Sequence, residues 1–146
     1  MTTINATALK LGSPETLLRR VDHWLVLHWP ARVMPGSLVL VYTGDATLFS
    51  ALSPVAFTEL TAPAGGIERR FAVFQPCDRM NYVMLMMIDP DVHFHVIPRF
   101  AATQEFGGLA YPDAGWPEPP ALGIAVTPDD GRRDLLLAAP ASDWKG

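Results

Sequence analysis

One cysteine, Cys77, stands among 146 residues, which excludes an internal disulfide framework and is compatible with a reducing compartment. With no second ligand nearby it reads as an ordinary thiol beside a loop. No run approaches the ~18 apolar residues of a membrane span, and Met1 to Leu11 lacks a basic start followed by a long apolar stretch. Neither a membrane helix nor a secretory leader is expected, and a cytoplasmic, membrane-free protein is. Basic residues are outnumbered, 11 against 15 acidic, for a formal charge of −4 with no Lys/Arg-rich block. Long-range attraction of a nucleic-acid polymer is therefore not expected, whereas a mononucleotide held by local donors is compatible with this balance. Histidine is scarce as well, four in all, so where those four stand is informative.

What is present suffices for one self-supporting domain over residues 1–146, because a chain of this size buries about 70% of its unfolded surface. Three places share one helix-opening pattern: Ser13-Pro14-Glu15, Ser53-Pro54-Val55 and Thr127-Pro128-Asp129-Asp130. In each a hydroxyl can cap free N–H groups, and proline takes the first helical position, where its missing donor costs nothing. Helices are predicted over 14–21, 54–75 and 128–139. In the middle one, Phe57, Leu60, Ala64, Ile67, Phe71 and Phe74 make one apolar stripe that should lie on a sheet. Pro63 and Gly65-Gly66 predict a kink within that single long helix.

Four strands are predicted, Trp24–His28, Leu38–Tyr42, Asn81–Ile88 and Val92–Ile97, the last two joined as antiparallel neighbours by the short polar link Asp89-Pro90-Asp91. The near-continuous apolar run Tyr82 to Met87 predicts a strand covered on both faces, its methionines serving as core filler. A core over about 20–100 is then followed by a Pro/Gly-rich extension over about 101–146 that ends in a short helix. Within it Trp116 is expected to pack back onto the domain or across a partner.

Half of the histidines lie in Asp91-Val-His93-Phe-His95-Val-Ile97. Period-two alternation puts Asp91, His93 and His95 on one face and Val92, Phe94 and Val96 on the other. Imidazole has an ordinary pKa near ~6.5, so it can exchange protons or attack phosphorus at neutral pH. A metal reading of the three side chains is weaker, because positions i, i+2 and i+4 span ~13 Å of extended strand. No metal or cofactor is expected.

This run resembles the signature of the histidine-triad family, His-φ-His-φ-His-φ-φ with φ apolar, here with Asp91 in place of the first histidine. Pro35-Gly36-Ser37-Leu-Val-Leu-Val41 is similar to that family's Pro-Gly-His-φ-φ-φ-φ strand, and Leu52-Ser-Pro54 with Glu59-Leu60 to the start of its central helix. The resemblance covers about residues 20 to 100. It implies an α+β fold, an antiparallel sheet with one long central helix, and a homodimer joined through helix and sheet edge. It further implies a purine nucleotide or dinucleoside polyphosphate as ligand, His93 as the nucleophile toward the α-phosphorus, and His95 on the phosphate oxygens. The activity implied is a hydrolase or nucleotidyl transferase working through a covalent nucleotidyl-histidine; the alternative is a nucleotide-binding protein that does not turn its ligand over.

Three departures bear on that activity. Asp91 either orients His93 and stabilises its imidazolium or repels an incoming anion. Ser37 offers a hydroxyl where the family carries a histidine. Asp89-Pro90 leaves no room for the family's longer loop before the triad. Loss of one oxyanion-type donor alone can cost ~100- to 1,000-fold in rate. Candidate substrate contacts besides Ser37 are Arg99, toward a phosphate or an acidic neighbour, Asn81 at the border of the strand, and Trp24, which with Trp29, His23 and His28 is a candidate wall of a base pocket.

Overall fold

The computed structural model describes residues 5–29, 34–106 and 108–123. A short helix α1 (Ala6–Lys10) precedes β1 (Leu17–Val21) and β2 (Trp24–His28), which form a hairpin across Asp22-His23. Asp22 takes a left-handed φ of 54°, a conformation that its short polar side chain tolerates. Next come β3 (Leu38–Tyr42), a 3-10 turn at Phe49–Ala51, α2 (Pro54–Glu59), α3 (Thr61–Phe74), β4 (Arg79–Val83) and β5 (His93–Arg99). A small hairpin of β6 (Gln104–Phe106) and β7 (Leu109–Tyr111) follows. The five-stranded sheet has the order β1-β2-β3-β5-β4 with every neighbouring pair antiparallel, an α+β architecture as expected.

Alternation along the strands divides the core between two faces of this sheet. Trp24, Val26, Leu38, Leu40 and Val96 point to one side and pack with Ala56 of α2 and Ile67 and Phe71 of α3. Leu25, Leu27, Val39 and Val41 point to the other, where Ala8 of α1 covers them. Each such side chain taken out of water contributes about 1.5–3 kcal/mol. The stripe on α3 is therefore what seats it on the sheet, with Ile67 and Phe71 fully buried.

Several expectations need correction. The first helix lies at Ala6–Lys10, not at 14–21, where the chain turns and then enters β1. Asn5 caps α1 by accepting from the Ala8 N–H, without a proline. The middle helix is two helices that meet at Leu60, and the break comes before Pro63. Pro63 sits in the first turn of α3, where a backbone donor has no helical partner in any case. Trp24–His28 and Leu38–Tyr42 are strands with the predicted ends, but Asn81–Ile88 shifts to Arg79–Val83, and residues 84–92 form an irregular connection. That connection is much longer than Asp89-Pro90-Asp91, so a loop before the histidine strand is present after all. Nor is the run covered on both faces, since Met87 and Ile88 are 84% and 81% exposed, while Met84 and Met86 do pack on the core. The helix expected at 128–139 lies outside the described residues. Among the described residues no helix is long and apolar enough to cross a membrane.

Candidate functional site

Register decides which face the histidines take. In β5, His93 stands opposite Val41 and His95 opposite Val39, so both rings project to the side covered by α1, while Phe94 stands opposite Leu40 and joins the helix-side core. The two imidazoles meet edge to face with centroids 5.1 Å apart. His93 is 2% exposed and His95 8%.

His93 Nδ1 donates to the backbone carbonyl of Asp91 at 2.7 Å. A carbonyl oxygen can only accept, so Nδ1 carries the proton; in the neutral ring the lone pair then resides on Nε2. The indole of Trp29 lies over His95 with a centroid distance of 4.2 Å. Burial, and after it the neighbouring His93, lower the pKa of His95 from 6.5 to about 4, with Asp89 opposing them. His95 is thus a neutral imidazole at physiological pH, and its Nδ1 is buried without a hydrogen-bond partner. The imidazolium of His95 is therefore not its resting form.

Asp91 precedes the strand, and its carboxylate is engaged by α1, on the side of the sheet to which the two rings also project. Its Oδ2 accepts from the Thr7 N–H at 3.2 Å and from the Thr7 hydroxyl at 2.9 Å. The carboxylate therefore holds the first turn of α1, where a negative charge also suits the helix dipole. Among the described residues no group of three His, Cys, Asp or Glu side chains is arranged to hold a metal ion.

The remaining candidates fall in three places. Ser37 is fully buried at the entry to β3, and its hydroxyl donates to the Met34 carbonyl at 2.7 Å. Arg99 is 4% exposed, and its guanidinium donates to Asp113 at 2.7 and 3.0 Å, to Asn81 Oδ1 at 2.7 Å and to the Glu118 carbonyl at 2.8 Å. It is buried rather than solvated, and the acidic-neighbour alternative is the one realised, with Asn81 as a second partner. Trp24 lies on the helix side, away from His93, and donates from Nε1 to the Ala56 carbonyl at 2.9 Å. His23 pairs with Glu59 at the end of α2 at 2.6 Å, and of the two tryptophans in the proposed base-pocket wall it is Trp29 that meets a site histidine.

Two residues at work here were not singled out from sequence. Thr7 had a signal in the Asn5 N-cap two residues before it, whereas Asp113, inside a Pro/Gly-rich stretch, had none.

Cavities of about 420 and 490 Å³ flank the Arg99 cluster, the first lined by Met34, Ile97 and Tyr111, the second by Arg79, Asn81 and Trp116. Neither is lined by His93 or His95, so these two cavities do not coincide with the chemistry.

No protein-family model and no curated protein matches the sequence. Solved structures do match the fold. A histidine triad protein, blr8122 from Bradyrhizobium japonicum, superposes with a TM-score of 0.64 at 23% identity over 88% of this chain and 87% of its own. A histidine triad protein from Sinorhizobium meliloti, SMc02904, gives 0.62 at 21% identity over 88% and 84%. A zinc-bound histidine triad family protein from Mycobacterium smegmatis gives 0.55 at 16% identity over 66% and 74%. The fold is that of the histidine-triad proteins. Within the histidine-triad fold, the pair His93 and His95 lies on the strand that the sequence motif indicated, and its first position is an aspartate turned toward α1.

Proposed function

We propose that the protein binds a nucleotide through its phosphates at the His93–His95 face and that His93 Nε2 attacks the α-phosphorus. One observation carries this reading: Nδ1 of His93 is held as a donor by the Asp91 carbonyl, so the free lone pair is on the far nitrogen. In the step, an Nε2–P bond forms as the bond from phosphorus to the leaving oxygen or nitrogen breaks. The leaving group departs with that electron pair, and water or another acceptor then cleaves the nucleotidyl-histidine. In this reading His95, neutral and with an unpartnered ring nitrogen, supplies a hydrogen bond to a phosphoryl oxygen.

The substrate class we propose is a purine nucleotide with a scissile phosphoanhydride or phosphoramidate, as in dinucleoside polyphosphates and adenylylated amines. A homodimer fits β4 at the sheet edge beside the exposed apolar side chains of Leu85, Met87 and Ile88. Light scattering of the purified chain tests the dimer.

The second reading, a nucleotide-binding protein without turnover, has its own support. Asp91, Ser37 and Arg99 are all engaged within the protein, which leaves the two histidines as the candidates for phosphate contact. Intact mass after incubation with a diadenosine polyphosphate or an adenylylated amine separates the two. The enzyme reading expects one added nucleotidyl group, absent in His93→Ala; saturable binding with neither adduct nor product supports the other.

A further inference from the structure

The nucleophile of the proposed reaction is oriented by a backbone carbonyl, and that carbonyl belongs to a residue tied by three hydrogen bonds to α1. Thr7 Oγ1 donates to Asp91 Oδ2 at 2.9 Å, Thr7 N donates to the same oxygen at 3.2 Å, and Asp91 N donates back to Thr7 Oγ1 at 3.3 Å. The hydroxyl thus uses both its donor and an acceptor lone pair on one neighbour. Thr7, Asp91 and His93 are 1%, 8% and 2% exposed, so little water is available to replace any of these bonds.

The helix that brings Thr7 there is only five residues long and has no stability of its own in water. It is fastened by Asn5, whose Nδ2 donates to the carbonyls of Tyr42 and Gly44 at 2.7 and 2.9 Å, and by Lys10, paired with Asp89 at 2.8 Å. Ala8 then buries its methyl against Leu25, Leu27, Val39 and Val41. Val41 is also the register partner of His93.

We infer that Thr7 is a positioning residue for His93. It clamps the peptide at Asp91 so that the carbonyl there faces Nδ1, and thereby keeps the reactive lone pair on Nε2. The aspartate acts on His93 through its main chain, while its carboxylate acts on Thr7. This inference rests on the reading of His93 as the working imidazole, but its test does not use that activity.

The measurement is the tautomer of His93, read from the ring ¹⁵N shifts of the full-length protein without nucleotide. The wild type should show Nδ1 protonated and Nε2 bare. Thr7→Val, equal in shape but without the hydroxyl, should convert His93 to a mixture containing the Nε2-protonated form, and Thr7→Ser should restore the wild-type pattern. Asp91→Ala keeps the carbonyl while removing the carboxylate, so it should behave like Thr7→Val and stands in for it if that variant does not fold. An unchanged single tautomer in a folded Thr7→Val or Asp91→Ala protein overturns the inference. Nucleotidyl transfer, where it occurs, should slow roughly tenfold or more in Thr7→Val, with ligand affinity held, as when an orienting partner behind a working imidazole is lost. Absence of transfer in the wild type would reject the reading of His93 and leave the tautomer result standing.

Discussion

Arg99 and Asp113 form a buried two-point ion pair, Nε to Oδ2 at 2.7 Å and Nη2 to Oδ1 at 3.0 Å, with both side chains less than a tenth exposed. Through it the segment after β7 is tied to the end of β5, the strand that carries both site histidines. Burial works to raise the Asp113 carboxyl, but the hydrogen bonds from Arg99 and the Phe100 N–H, together with the Arg99 charge, hold it below its ordinary value.

Asp113→Ala should accordingly destabilise the fold by about 3–5 kcal/mol, because it leaves a guanidinium buried without its counter-charge. Urea unfolding against the wild type checks this. A loss below about 1 kcal/mol would mean that water or another acid takes over the pair.

His95 gives stability a pH dependence of definite sign. Its pKa is lowered in the folded state to about 4, so between that value and 6.5 the unfolded chain binds more protons. The stabilisation is fully present above pH 6.5 and drains away as pH falls toward 4, with at most about 3 kcal/mol at stake. Thermal melts should show Tm falling across that window, and His95→Leu should flatten the fall. The part lost with Asp113 protonation comes at more acid pH, below the ordinary carboxyl value of 3.8.

Gly36, at the turn into β3, has φ of 92°, and an added Cβ would stand 2.5 Å from Gln75 Oε1 and 3.1 Å from a ring carbon of Phe71. Left-handed backbone alone costs alanine about 1–2 kcal/mol, and the Gln75 side chain, which donates to the Pro35 carbonyl at 2.8 Å, would have to move as well. Gly36→Ala should therefore cost about 2 kcal/mol or more in denaturant unfolding.

Trp24→Phe removes the indole donor to the Ala56 carbonyl and part of the filling between Tyr42 and Phe94. A destabilisation of about 1–3 kcal/mol is expected from the lost hydrogen bond and the volume together. Equilibrium unfolding followed by circular dichroism measures it.

Much of this frame was legible in the sequence because it follows from short-range pattern. Trp24–His28 and Leu38–Tyr42 are dense in Val and Leu and end in clear breaks, and the alternation at His93 and His95 gave their common face. The α1 helix was not legible from the proline-led pattern, because its capping residue is Asn5 and its five residues are too few for a periodic stripe. The apolar run from Tyr82 to Met87 misled because composition says how much surface is apolar, not whether anything covers it. The role of Asp91 depended on a partner 84 positions away in sequence, and that of Arg99 on an aspartate in a loop without any pattern. Such long-range polar pairing leaves no local mark. Alternation placed Asp91 on the face of the histidines, and the hydrogen-bonding demand of the first turn of α1 engages its carboxylate there.

The most direct test of the account is the place of a nucleoside monophosphate in a crystal of the complex. The account predicts phosphorus within about 3.5 Å of His93 Nε2, the separation of a reactant ready for attack, with a phosphoryl oxygen at His95. A phosphate lodged instead in the cavities beside Arg99 and Trp116, with His93 still covered, would contradict it.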